Sequence, residues 1–401
     1  MFKRILKWII RQKSYKKIVI HACKIPYPAI PNVIVPDIQP TTQDVAIAKR
    51  LLAAYRRAFE SFVDSGQGGQ NDVWTINKKS QGYFLELLSR NAPKELAAYL
   101  CNMSRRDATI GTVQGNHEFH RIKRDPIYRR FISIRIKDQL VSLAEAVGAL
   151  ACENPEQGVW GKSFHIDSDE LVDKISEVIG IKIAPPPIDG GLLKIKTAGG
   201  LFDIRDLNAI YTAYLVSKTV KTKTERICEI GAGVGKVAYW CHQLGFKSYT
   251  IIDLPHINVL QGYYLLKTLP EGMVRLYKEP IENEHTNGCV DILPAFDIEQ
   301  VSSDRYKLVL NQDSFPEIDG ETVIAYIKWI HRVSSGYFLS INHESKPPYG
   351  EKQFHISVPE LMNDVGGYDK VYRVPYWLRK GYVVELYRVI KNNFPGPKDE
   401  Q

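Results

Sequence analysis

Glycines at positions 231, 233 and 235 follow Glu229 in the run Glu229-Ile-Gly-Ala-Gly-Val-Gly235, and Asp253 stands 18 residues beyond the last of them. An apolar strand pattern ends near Glu229 and a helical one begins after Gly235, so the glycines must make a strand-to-helix turn. Without a Cβ, such a turn bends sharply and lets a ligand approach the backbone closely. A dinucleotide fingerprint requires glycine three places after its second glycine, and that position holds Lys236. The acid two places before the first glycine, and the third glycine only two places after the second, instead fit a sulfonium nucleoside, S-adenosylmethionine. Asp253 ends the next strand pattern, where a carboxylate can accept both hydroxyls of a ribose. Glu229, Gly231, Gly233, Gly235 and Asp253 are therefore the expected cofactor residues; a dinucleotide enzyme and a non-catalytic relative are the competing readings.

Methyl transfer to a hydroxyl needs a base, because the hydroxyl loses its proton as the methyl group arrives. Asp313 and His343 each follow a strand pattern and are the leading candidates. An Asx turn or a cap at Asp313, and an ordinary loop histidine at His343, are the structural alternatives. Glu317, Asn342 and Glu344 lie in the same two loops and are expected to contact the acceptor, or else to begin the next helix. A divalent ion held by Asp313, Glu317, His343 and Glu344 would acidify the hydroxyl, but no tight ligand spacing supports it, and no metal is expected. In Gly115-Asn-His-Glu-Phe-His120, His117 and His120 form a second polar cluster that can reach an acceptor or be plain surface. Arg205 and Tyr211 precede the first strand on a helical run and are expected at the methionine end of the cofactor; packing of Tyr211 explains that residue equally well. Tyr372, Tyr376, Trp377, Tyr382 and Tyr387 can stack on sugar rings, or serve the core.

These residues need a frame. Strand patterns at 226–230, 248–252, 274–277, 306–310, 337–341, 370–374 and 383–389 alternate with helical ones at 236–244, 257–268, 322–333 and 357–364. Such alternation predicts a doubly wound, mostly parallel, seven-stranded α/β sheet of Rossmann-like type, with the last two strands antiparallel. Further helical patterns at 42–63, 82–89, 94–103 and 132–150 precede a break at Ala184-Pro-Pro-Pro-Ile-Asp-Gly-Gly191. The expected division is a basic arm over 1–22, a proline-rich connector over 23–41, a mainly helical region over 42–200 that can bind the acceptor, and the cofactor domain over 201–395.

The net charge of +8 comes from the residues before Asp37, seven of whose eight cations lie in the arm. Eight of the 53 basic residues lie before the first acid, Asp37, and the other 45 match 45 acids. A neutral body argues against a nucleic-acid enzyme. Residues 1–17, MFKRILKWIIRQKSYKK, gather Phe2, Ile5, Leu6, Ile9 and Ile10 on one helical face with Lys and Arg around it. That pattern suits an anionic membrane surface, and equally a helix packed on protein. Six cysteines without a CxxC pair suit a reducing cytoplasm. A cytoplasmic protein, in part peripheral to the membrane, is expected; the sequence leaves the oligomeric state open.

The chain resembles the bacterial sugar O-methyltransferases of surface-polysaccharide clusters. The resemblance runs over most of the chain after the arm, through Asn154-Pro-Glu-Gln-Gly158, Arg205–Ala213, Glu229–Gly235, Asn311-Gln-Asp-Ser-Phe-Pro-Glu317 and Pro375-Tyr-Trp-Leu-Arg-Lys-Gly-Tyr382. It implies the class I methyltransferase fold and methylation of a sugar hydroxyl in a glycan precursor. Small-molecule O- or N-methylation and a non-catalytic, cofactor-binding scaffold are the alternatives.

Overall fold

The computed structural model describes residues 30–65, 81–106, 115–154, 156, 161–188, 193–279, 288–346, 348–349 and 353–391. The arm and its membrane expectation lie outside these residues. The chain divides into two compact units, Met1–Asp37 with Ser104–Tyr211, and Ile38–Met103 with Thr212–Gln401.

The first unit packs the helix Pro126–Val147 against Ser168–Ile179, with Asn32–Ile34, Leu193–Thr197 and Gly200–Phe202 forming a small antiparallel sheet. Asp125 caps the longer helix by accepting from the amides of Ile127 and Tyr128, and Gly148 ends it in a left-handed conformation. Between these ends Ile132, Ile136, Leu140 and Ala144 recur at helical spacing and are buried. Lys137 is buried on the same helix, and its ammonium donates to the carbonyl of Ile166 and to Ser168 Oγ. Burial pulls its pKa down to about 8.

The second unit holds eight strands, β1 (Ile227–Ile230), β2 (Tyr249–Asp253), β3 (Val274–Arg275), β4 (Val290–Pro294), β5 (Tyr306–Gln312), β6 (Ser334–His343), β7 (Tyr368–Pro375) and β8 (Tyr382–Val389). Their order in the sheet is β7-β8-β6-β5-β1-β2-β4-β3. Neighbours are parallel from β6 to β3, and β8 runs antiparallel to both β6 and β7. The central strands β1, β2 and β5 are buried at nearly every residue because both sheet faces are covered. The helices are α1 (Thr42–Ser65), α2 (Gly82–Arg90), α3 (Pro93–Leu100), α4 (Ile204–Thr219, which begins in the first unit), α5 (Lys236–Gln243), α6 (Pro255–Thr268), α7 (Gly320–Val333) and α8 (Val358–Val365).

Two expectations change. Val290–Pro294 is an eighth, unexpected parallel strand beside β2, and the expected 274–277 strand is present as the two-residue edge Val274–Arg275 outside it. Asp291 and Pro294 broke the apolar pattern that would have revealed β4. Residues 38–103 also group with the sheet and not with the rest of the helical region. The cause lies in α1, where Thr41 and Asp44 make a reciprocal capping box. From there Asp44 accepts from Tyr263 on α6 at 2.8 Å and pairs with Lys267 at 2.9 Å. Arg50 forks onto Glu279 at 2.6 and 2.7 Å, and Leu51 sits so close to Gly262 that an added Cβ would stand 2.5 Å from it.

Candidate functional site

The carboxyl ends of β2, β1, β5 and β6 stand side by side. Ile230 is opposite both Ile252 and Asn311, and Gln312 is opposite Ile341. The loops after these strands therefore open onto one edge of the sheet, where ligands bind in such folds.

At β1, the turn has Gly231, Gly233 and Gly235 at φ +74°, +58° and +88°, a region that side chains other than glycine rarely enter. The three differ in what surrounds them. A Cβ on Gly231 would meet Ser314, and one on Gly235 would press Leu265 at 3.1 Å. One on Gly233 would meet nothing within 4 Å. Gly233 thus faces open space. Beside the turn, at the end of β2, Asp253 is half-buried and accepts from the Leu254 amide at 2.8 Å, from Gln261 Nε2 at 2.6 Å and from the Ala232 amide. Burial pushes its pKa up to about 7 against these hydrogen bonds. A half-buried carboxylate of this kind suits hydroxyl donors such as a ribose diol, and the space at Gly233 suits a nucleoside lying across the backbone. The fit is to the nucleoside part of S-adenosylmethionine.

Glu229 is placed differently. Its side chain is 2% exposed, bonded to Tyr249 Oη at 2.9 Å, with its pKa raised to about 8 chiefly by burial. It belongs to the sheet interior beneath the turn.

At the ends of β5 and β6, Asp313 adopts φ +66°. Its Oδ2 pairs with Arg379 and its Oδ1 accepts from Tyr382 Oη. Arg379 also lies over the Tyr382 ring at 3.8 Å. Both carboxylate oxygens are thus engaged, one by a guanidinium, and Asp313 ties the loop after β5 to Arg379 and Tyr382. His343 pairs across the strands with Tyr382, their rings 5.6 Å apart. Its pKa is lowered, first by burial and then by the neighbouring His355, with Asp313 opposing. A neutral imidazole at ordinary pH can accept a proton.

Asn342, 3% exposed, donates to Asn311 Oδ1 at 3.0 Å and to Ser340 Oγ at 2.9 Å. Among the described residues its own Oδ1 has no hydrogen-bond partner. Asn311 in turn donates to the Ile230 carbonyl at 3.0 Å and to Ser314 Oγ at 2.5 Å, tying this loop to the glycine turn. Glu344 is taken up by Arg373, which lowers its pKa, so an ion pair replaces the expected acceptor contact. Glu317 lies half-buried on a short 3-10 turn after Asp313. Arg205 and Tyr211, on α4, and His117 and His120, on the helix Gly115–Arg124, belong to the first unit. Tyr211 is buried and His120 exposed. Among the described residues no group of three or more His, Cys, Asp or Glu is arranged to hold a metal ion. Sequence reasoning missed Arg379, His355 and the anchoring role of Tyr382. Arg379 and Tyr382 lay within a segment already singled out, whereas His355 carried no signal.

The strand order, with a parallel β4-β2-β1-β5-β6 core and one antiparallel strand, β8, inserted before β7, is that of the class I methyltransferase fold. No protein-family model matches the chain, and no curated protein matches its sequence. Among solved structures, the chain is similar to a magnesium protoporphyrin IX methyltransferase from Synechocystis PCC 6803 at 14% identity, over 47% of this chain and 80% of that one, with a TM-score of 0.34. It is similar to the mitomycin 7-O-methyltransferase at 14% identity, over 46% of this chain and 57% of that one, at 0.33. An S-adenosylmethionine-dependent methyltransferase from Mesorhizobium loti matches at 13% identity, over 45% of this chain and 97% of that one, at 0.33. Likeness at this level says nothing of what this chain binds. Among the described residues no helix is long and apolar enough to cross a membrane.

Proposed function

We propose that this chain is an S-adenosylmethionine-dependent O-methyltransferase whose acceptor is a sugar hydroxyl of a surface polysaccharide or lipid-linked glycan intermediate. The observation that carries the reading is the pairing of open space at Gly233 with the half-buried carboxylate of Asp253 on the adjoining strand end. When bound, S-adenosylmethionine supplies an already activated methyl group. Asp253 accepts from the ribose hydroxyls, and Gly233 keeps the backbone clear of the nucleoside. His343, held neutral, takes the proton of the acceptor hydroxyl. Asp313, fixed by Arg379 and Tyr382, keeps the loops around His343 in place, so that orientation does much of the work. The sugar acceptor is supported by the meeting of the two segments most particular to the resemblance, since Asp313 of Asn311–Glu317 bonds Arg379 and Tyr382 of Pro375–Tyr382.

Calorimetry with S-adenosylhomocysteine on wild type and Asp253→Ala tests the cofactor site. Heat of binding is expected for the first and a loss of at least tenfold in affinity for the second; no uptake by folded wild type overturns the enzyme reading. Transfer of labelled methyl to a panel of nucleotide sugars, lipid-linked saccharides, phenols and amines tests the acceptor, and labelling confined to the last two classes overturns the sugar. The basic, amphipathic residues 1–17 are proposed to lie on an anionic membrane surface, facing the cytoplasm. Flotation with phosphatidylserine vesicles that persists after removal of residues 1–20 overturns that part.

A further inference from the structure

His355 has no place in the scheme so far. Just before α8, the Ile356 amide donates to the Pro316 carbonyl at 3.2 Å, on the short helical turn that follows Asp313. That bond pins the segment and lays the His355 ring against His343, with centroids 5.1 Å apart and planes at 59°. His343 is half-buried, and among the described residues its Nδ1 has no hydrogen-bond partner. His355 is also half-buried. Two imidazoles this close cannot both hold a proton without repulsion, since like charges in a partly desolvated site disfavour one another.

We propose that His343 and His355 act as a pair that carries at most one positive charge, in which His355 is a positioning residue that takes from His343 the proton it collects and so returns it to its base form. The proposal rests on the reading of His343 as the base. As the acceptor O–H bond breaks, an N–H bond forms on His343. His355, unprotonated at that moment, then takes a proton from the His343 imidazolium and releases one to water, so both rings end neutral as they began. The groups facing His343 agree with this assignment. His355 and Arg379 disfavour its cation, Asp313 and the Ser345 backbone favour it, and burial adds to the first pair. The charge of Asp313 is largely spent on Arg379 and Tyr382, while Glu344 next in the chain is committed to Arg373. With these charges committed, the His355 ring beside His343 is placed to take a proton onward.

The test is a titration of histidine ring signals by NMR, on full-length protein without nucleoside, labelled at the histidine Cε1 position and assigned with His343→Gln and His355→Gln. In wild type the two rings are expected to titrate in two coupled steps, each signal sensing the other's midpoint. In His355→Gln the His343 midpoint is expected to rise by ~0.5 pH or more as the like charge disappears. An unchanged His343 midpoint in both His355→Gln and His355→Asn overturns the pair. Should neither variant fold, the wild-type traces decide: coupled steps support the pair, and two independent single curves overturn it. Failure to take up S-adenosylhomocysteine, measured separately, overturns the enzyme reading and leaves this titration intact.

Discussion

Gly231 and Ser314 approach so closely that a methyl group on Gly231 would stand 2.2 Å from Ser314 Oγ and 2.6 Å from its Cβ. Ser314 is buried and accepts from Asn311, so it has little room to yield. The contact locks the turn after β1 to the loop after β5.

Gly231→Ala should therefore destabilise the protein by roughly 2–4 kcal/mol, from left-handed backbone strain and overpacking together. Gly233→Ala meets no atom and should cost only the strain, roughly 1–2 kcal/mol. Its methyl group should nevertheless lower affinity for S-adenosylhomocysteine at least tenfold. Urea unfolding and calorimetry on the two variants check this inversion; equal stability losses would contradict it.

Glu229 makes stability depend on pH in an unusual direction. Its folded pKa is raised to about 8 by burial, while an unfolded glutamate titrates near ~4.3. Between these values the folded state holds a proton that the unfolded state has released. Stability should fall as pH rises through that window and level off above it. In Glu229→Gln the slope over pH 5–8 should flatten, as read from urea midpoints of protein without ligand.

Asp44 works in the opposite sense. Its pKa is lowered to about 2, its hydrogen bonds and Lys267 outweighing burial. It stabilises the fold above the ordinary carboxylate range, and that contribution is lost as pH falls from ~4 towards 2. Asp44→Ala leaves Lys267 and Tyr263 without this carboxylate and should cost roughly 3 kcal/mol at pH 7. Thermal unfolding at pH 7 and pH 3 should show the difference shrinking at the lower value.

His343→Gln should reduce methyl transfer by about 10²-fold or more while S-adenosylhomocysteine still binds. Asp313→Asn keeps a hydrogen-bond acceptor for Tyr382 and gives up the charge that Arg379 requires. It should slow turnover less than His343→Gln does. A larger loss in Asp313→Asn would return the base to Asp313.

The sheet was legible because hydrophobic runs and helical spacing are local. Seven of the eight strands, the antiparallel final pair and the helices between them follow from neighbours in sequence. The glycine turn and Asp253 were legible for the same reason, since backbone freedom and a strand-end carboxylate are properties of short segments. β4 was not, because a five-residue strand containing Asp291 and Pro294 has no period to detect.

What the sequence determined by itself is the glycine turn, the carboxylate after it and the alternation that makes a parallel sheet. Only the tertiary structure decided which side chains neutralise one another. It paired Asp313 with Arg379, 66 residues away, sank Glu229 against Tyr249, and carried α1 to the sheet through Asp44 and Arg50. It also brought His355 to His343. Charge pairing and desolvation act through space and depend on register and packing, which no stretch of residues encodes on its own.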